Sequence, residues 1–205
     1  MAPSLPPMFI ADAPGLDFLN SLATPVDVPV DWIDDGAGLL AWLEHAGMVP
    51  ADVLAAMRER AMPGELDRLA GQARSLREWF RGFVRSSKGR RLNAEDLEAL
   101  APLNQLLSRD EGFAQIASGG EGDKLRFVRT RRWSSPESLL QPIGEAMAKL
   151  VAEEDFSFIK ACEGPTCTLL FADHTRGHVR RWCSMAACGN RAKQMAHRRR
   201  AMSGT

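Results

Sequence analysis

All four cysteines of this 205-residue chain fall between positions 162 and 188, in the order Cys162-x4-Cys167-x15-Cys183-x4-Cys188. Two close pairs separated by a medium loop are what a tetrahedral metal site demands. Each pair must turn tightly enough to aim both sulfurs at one point, and the loop must let the pairs converge. Glu163-Gly164-Pro165-Thr166 has suitable turn chemistry for the first pair. Four thiolates close the coordination sphere and leave no place for water. The spacing therefore predicts one structural Zn2+ held by Cys162, Cys167, Cys183 and Cys188. Disulfides need an oxidising compartment, and MAPSLPPMFIADAPG at the amino terminus has neither the positive region nor the apolar run of a secretion signal. Coincidentally buried cysteines would not cluster while residues 1–161 contain none.

The chain has 26 basic and 26 acidic residues, but they are unevenly placed. No Asp or Glu follows Asp173, while residues 174–205 carry eight Lys or Arg. The first 173 residues thus set 26 acidic against 18 basic residues, a balance of −8. An acidic body with a cationic end points to a polyanionic partner, with a solvated basic tail as the competing reading. Hydrophobic content of 45% and charged content of 25% suit a soluble globular protein. No apolar run approaches the roughly 20 residues that cross a bilayer. A cytoplasmic location without a membrane partner is expected.

The pattern divides into a Pro-rich, disordered segment 1–7, a mainly helical domain 8–155 and a small module 156–205. GLDFLNSL leaves strand and short helix undecided. Asp34 and Asp35 cap a helix carrying Leu39, Leu40, Trp42 and Leu43, and a second short helix covers 51–61. Leu66, Leu69, Ala73, Leu76, Phe80 and Phe83 form one stripe on a helix reaching Val84, either core or a homodimer interface. Asn93 caps a helix burying Leu97, Leu100, Leu103 and Leu107. FAQIAS and KLRFVRTRRW around SGGEGD read as a β-hairpin. Its Lys124, Arg126, Arg129, Arg131 and Arg132 read first as a solvated face paired with carboxylates, and second as a nucleic-acid surface. Ser135-Pro136-Glu137 opens a last helix, kinked at Pro142. The expected class is α+β. No motif in 8–155 identifies a ligand, which leaves a small-molecule effector as a possible partner.

Between Cys167 and Cys183 the sequence reads strand, turn, strand, with His174–Gly177 at the bend, and Ser184 then caps a helix from Met185. Knuckle, hairpin and ligand-bearing helix make a treble-clef-like zinc finger. At about 100° per residue, Met185, Ala192, Met195 and Ala196 share the face of Cys188. Asn190, Lys193, Gln194, His197 and Arg200 lie opposite, and Arg191 and Arg198 lie on one flank. Such a stripe suits the major groove of DNA, where Arg reads guanine and Asn or Gln reads adenine. Arg180 and Arg181 would add positioning contacts. Two of these residues have structural alternatives: Asn190 can tie the helix to the hairpin, and Arg191 can pair with the module's own backbone. Trp182 packs beneath the module.

Cys188-Gly189-Asn190-Arg191, the RRWCSM lead-in and the earlier cysteines resemble the C-terminal zinc finger of the CGNR family. GLDFLNSL and the WL-x-x-AG stretch at Trp42–Gly47 resemble the amino-terminal partner domain of that family of bacterial stress-induced transcription regulators. The resemblance implies zinc at the four cysteines and nucleic-acid contact from Asn190, Arg191 and the basic residues that follow. The expected function is zinc-dependent DNA binding in transcriptional control. RNA binding or protein interaction through the same finger is the alternative, because a fold does not fix function. A closed thiolate site, with no Ser-His-Asp set, phosphate-binding glycine loop or HExxH motif, argues against an enzyme.

Overall fold

The structure is a computed structural model that describes residues 5–25, 27–118 and 124–203, with the side chains of 196 and 199–203 outside the description. Residues 1–4 of the segment expected to be disordered lie outside the described residues. At residue 5 the Trp32 indole donates to the Leu5 carbonyl over 2.6 Å. The body's helices are α1 (Pro14–Leu19), α2 (Gly36–His45), α3 (Ala51–Arg60), α4 (Glu65–Ser87), α5 (Ala101–Leu107) and α6 (Gln141–Glu153). A two-residue ribbon joins β1 (Leu22–Ala23) to β2 (Val30–Asp31), and β3 (Gly112–Ser118) pairs with β4 (Leu125–Arg131) as the expected hairpin. Its turn, 119–123, lies outside the described residues.

The long α4 is the axis of the core. Leu69, Ala73, Phe80 and Phe83 are buried in the chain's own interior, so the stripe serves as core in this structure. The stripe also holds two buried arginines. Arg77, 2% exposed, makes a bidentate pair with Asp31 at 2.8 and 2.7 Å and donates to the Ser21 hydroxyl at 2.9 Å. Arg81 donates to the carbonyls of Leu19 and Leu22. A buried charge is tolerable only when matched in this way, and here the match fastens α1 and the ribbon to α4.

Helix α1 lies directly on α6. A Cβ on Gly15 would fall 2.7 Å from the Ala146 carbonyl oxygen, so only glycine permits this backbone approach. Asp17, buried on α1, accepts from the amides of Ile10 and Ala11 at 3.0 Å each. Burial pushes its carboxyl up to about 6, with the Asp12 charge adding to the rise and the two amides opposing it. Its native value lies above the ordinary 3.8. The native state therefore binds the extra proton between those values, and this stabilising contribution is lost as pH rises through about 6. Asp17→Asn is expected to raise the urea midpoint most at pH 7–8, with the gain over the parent shrinking steadily towards pH 4. A pH series of urea melts on both proteins checks this.

Two expected helices divide at a proline. Asn93 does cap: its side chain accepts from the Glu95 amide at 2.8 Å, and Asp96 closes the box by accepting from the Asn93 amide at 2.9 Å. The capped segment, Ala94–Leu100, is a 3-10 helix, and α5 starts anew around Pro102. Leu97 is 59% exposed, against expectation, while Leu100 and Leu103 are buried. Likewise Pro136–Leu140 is 3-10, and α6 begins at Gln141, where Pro142 costs no hydrogen bond.

The carboxy-terminal strands β5 (Ile159–Ala161) and β6 (Leu170–Ala172) pair antiparallel, with Ala161 opposite Leu170. Leu169, Leu170, Phe171 and Cys183 belong to the same hydrophobic core as the body. Asn20, just after α1, exchanges two bonds with Leu170, 2.8 Å to its carbonyl and 2.9 Å from its amide.

Candidate metal centre and basic helix

The turn between β5 and β6 aims the first cysteine pair. Cys162 donates its amide to the Leu169 carbonyl at 2.9 Å, and Cys167 donates to the Gly164 carbonyl at 3.1 Å. The second pair is set by Ser184, whose hydroxyl accepts from the Ala187 amide at 2.9 Å. Its carbonyl accepts from the amides of both Cys188 and Gly189 at 3.1 Å, which winds Met185–Gly189 into a π-helical turn. The helix expected from Met185 thus becomes a π turn followed by α7 (Asn190–Ser203).

All four sulfurs lie within 4.8 Å of one another, at 3.9 Å for Cys167–Cys183 and 3.6 Å for Cys183–Cys188. A tetrahedron with Zn–S bonds of about 2.3 Å has edges of about 3.8 Å, so the donor set fits one structural Zn2+. The Cys162 sulfur also accepts from the amides of Gly164 at 3.4 Å and Cys183 at 3.3 Å, as a thiolate would. A Cβ on Gly164 would press within 3.1 Å of the Cys188 sulfur. Without a cation the four thiols cannot ionise together. The hydrogen bond from Cys183 draws Cys167 down to about 5. That same bond, then burial, pushes Cys183 up, and burial pushes Cys188 up to about 12. A bound dication reverses this order and favours four thiolates.

The loop from Cys167 back to Cys183 departs from expectation. Only its first arm is a strand, and β6 pairs with β5, not with the returning segment 178–182. That segment is held by the fully buried Asp173. Its carboxylate accepts from Lys160 Nζ at 2.7 Å, the Thr175 hydroxyl at 2.6 Å, the Thr175 amide at 3.1 Å and the Arg180 amide at 2.9 Å. Burial alone would raise its carboxyl, but Lys160, Thr175 and the Arg180 amide outweigh it and hold the group well below the usual carboxylate range. His178, at φ 47°, stacks on Phe158 with ring centroids 3.5 Å apart. His174 is exposed and pairs with Glu154 at 2.7 Å. Asp173 was legible in one respect: it is the sole acid between Cys167 and Cys183.

Arg180, expected as a nucleic-acid contact, is engaged within the fold. Its guanidinium donates to Asp12 and to the carbonyls of Ile10, Ala172, Trp182 and Cys183, and it lies over the Phe171 ring with its carbon 4.3 Å from the centroid. These partners consume its donors and leave the side chain 19% exposed. Arg181 is exposed but paired with Glu163 at 2.6 Å. Asn190, Lys193, Gln194 and Arg198 are exposed on α7, whereas Arg191 is half-buried with its guanidinium 3.5 Å from the Pro25 carbonyl. The backbone of Arg200 continues α7, and its side chain lies outside the described residues.

A family model named ABATE, described as "Putative stress-induced transcription regulator", matches residues 12–154, more than half of the chain. The chain belongs to the ABATE family. A second model, described as "CGNR zinc finger", matches residues 159–201. No curated protein matches the chain. Neither family description is that of an enzyme, and no described helix is long and apolar enough to cross a membrane.

In this ABATE chain the two matched regions are physically joined. Residues 10–25, at and just before the start of the ABATE match, contact the finger at Leu170, Ala172, Arg180, Thr168 and Arg191. At the motif glycine, Gly189, an added Cβ would lie 2.5 Å from the Met185 sulfur and 3.2 Å from Trp182, so a larger residue there would displace the Met185 side chain. Beyond it α7 leaves the body. Met185 and Met195, expected to be covered, are 48% and 38% exposed, because α7 packs chiefly on the turn before it.

Proposed function

We propose that the chain is a zinc-dependent DNA-binding regulator that docks through α7. One observation carries the reading. A helix starting at the last zinc-ligand turn presents Asn190, Lys193, Gln194 and Arg198 to solvent, and no acidic residue follows Asp173 in the chain. Lys193 and Arg198 neutralise phosphates, and Asn190 and Gln194 have the bidentate amides that suit adenine. Arg200 extends the stripe by sequence position, Arg181 contributes only by leaving Glu163, and Arg191 orients the helix against Pro25. Arg180 acts inside the fold.

The test is a titration of a duplex promoter fragment by fluorescence anisotropy across a salt series. Lys193→Ala with Arg198→Ala is expected to weaken binding about a hundredfold and to lower the salt slope by about 2, one contact each. An unchanged slope, or a single-stranded RNA that competes better than duplex DNA, overturns the reading.

A further inference from the structure

A cleft of about 770 Å³ opens in the body, far in sequence from the finger, between the base of the β3–β4 hairpin, the α2–α3 connection and α6. Its volume is that of a small-molecule site. Side chains alternate across a strand, which places Arg129 and Arg131 on one side of β4, and Trp133, just past its end, lines the same cleft. Opposite Arg131 and Arg129 in the ladder stand Gly112 and Ala114, too small to fill the space. Met48 and Pro142 give apolar walls.

The charges in the cleft are not equivalent. Arg131 bonds to Asp110 at 3.0 Å and to Glu145 at 3.0 Å, with its guanidinium over the Trp133 ring. Glu145 also takes Lys149 at 2.8 Å. These groups neutralise and stiffen one another. Arg129 lines the same cleft, and among the described residues no carboxylate lies within ion-pair reach of it. Along the same face, towards the hairpin tip, Phe127 pairs with Ile116 and is followed by Leu125, all three strongly exposed. The cleft therefore offers one exposed guanidinium with no carboxylate partner among the described residues, beside an aromatic wall and continued by an apolar surface.

We infer that this cleft binds an amphipathic organic monocarboxylate, with the carboxylate on Arg129 and the hydrocarbon body along Trp133, Met48 and Pro142. A charge-assisted bidentate bond explains a preference for the anion over its neutral amide. The probes are 2-naphthoate and 2-naphthamide, titrated against the zinc-loaded full chain by calorimetry. The acid is expected to bind one per chain, about tenfold tighter than the amide. Arg129→Gln should abolish that preference while leaving amide affinity unchanged, and Ala114→Leu should fill the cleft and remove both. Arg126→Gln, one residue out of register and so on the other hairpin face, should change nothing. The inference is overturned by no saturable binding of 2-naphthoate to millimolar concentration, by equal affinity for acid and amide, or by an equal effect of the Arg126 and Arg129 variants. None of these readouts involves DNA, so this inference and the docking role of α7 fail separately.

Discussion

Stripping zinc with a chelator is expected to unfold the finger and to loosen the body that it touches. Coordination contributes about 10–16 kcal/mol in isolated zinc-finger peptides at neutral pH, as much as the whole stability of an ordinary domain. Here the ligand turns carry little regular secondary structure of their own. The strands β5 and β6 are three residues each, and the returning segment has no ladder. Loss of the metal frees β6, and with it the two Asn20–Leu170 bonds, the bond from the Ala172 amide to the Ala11 carbonyl and the bond from the Thr24 amide to the Thr168 hydroxyl. Hydrogen exchange should therefore accelerate at Leu170, Ala172 and Thr24 in the chelated protein, while the centre of α4 around Phe80 stays protected. Cys183→Ser should reproduce the effect, because Cys183 neighbours two other sulfurs and donates its amide to a third. Elemental analysis without stoichiometric zinc, or a thermal melt unaltered by chelation, would refute the account.

What could be read from the sequence was what depends on neighbours along the chain. The cysteine spacing, the Asp35 and Asn93 caps, the α4 stripe and the existence of the hairpin all arise from local periodicity or local hydrogen bonds. The failures have non-local causes. Segment 178–182 is expected as a strand, yet its backbone is held by the side chains of Lys160 and Asp173 in place of a partner strand. Arg77 and Arg81 fall within an apolar stripe, and nothing in sequence tells that Asp31 and the carbonyls of Leu19 and Leu22 await them. Leu97 is expected on one continuous helix, whereas the segment is a 3-10 turn followed by a new helix around Pro102.

The finger is thus less of a module than its motif suggests. An independent finger would carry its own small core and a free linker. This one shares the core of the body and takes backbone and side-chain bonds from residues 10–25. The arrangement fixes the base of α7 relative to the body, so the exposed face of that helix is presented in a set direction.

Arg180 provides the sharpest separation between holding the fold and holding DNA. Basic residues beside a cationic helix invite assignment to phosphate, yet this guanidinium serves four carbonyls and Asp12. Replacing it with Met keeps an apolar stem over Phe171 but leaves several partly buried carbonyls without a donor, each worth about 1 kcal/mol or more. Arg180→Met is expected to cost about 3 kcal/mol in urea denaturation and to weaken zinc retention against a competing chelator, since the Cys183 carbonyl is among its partners. Arg180→Lys should recover little, because a single ammonium cannot reach acceptors spread across a planar fork. In folded, zinc-loaded protein the salt slope of DNA binding should match the parent, in contrast to the shift expected for Lys193→Ala with Arg198→Ala. An Arg180→Met protein with parental stability and a slope lowered by about 1 would instead make this residue a phosphate contact, and the contacts to residues 10 and 12 would then be incidental.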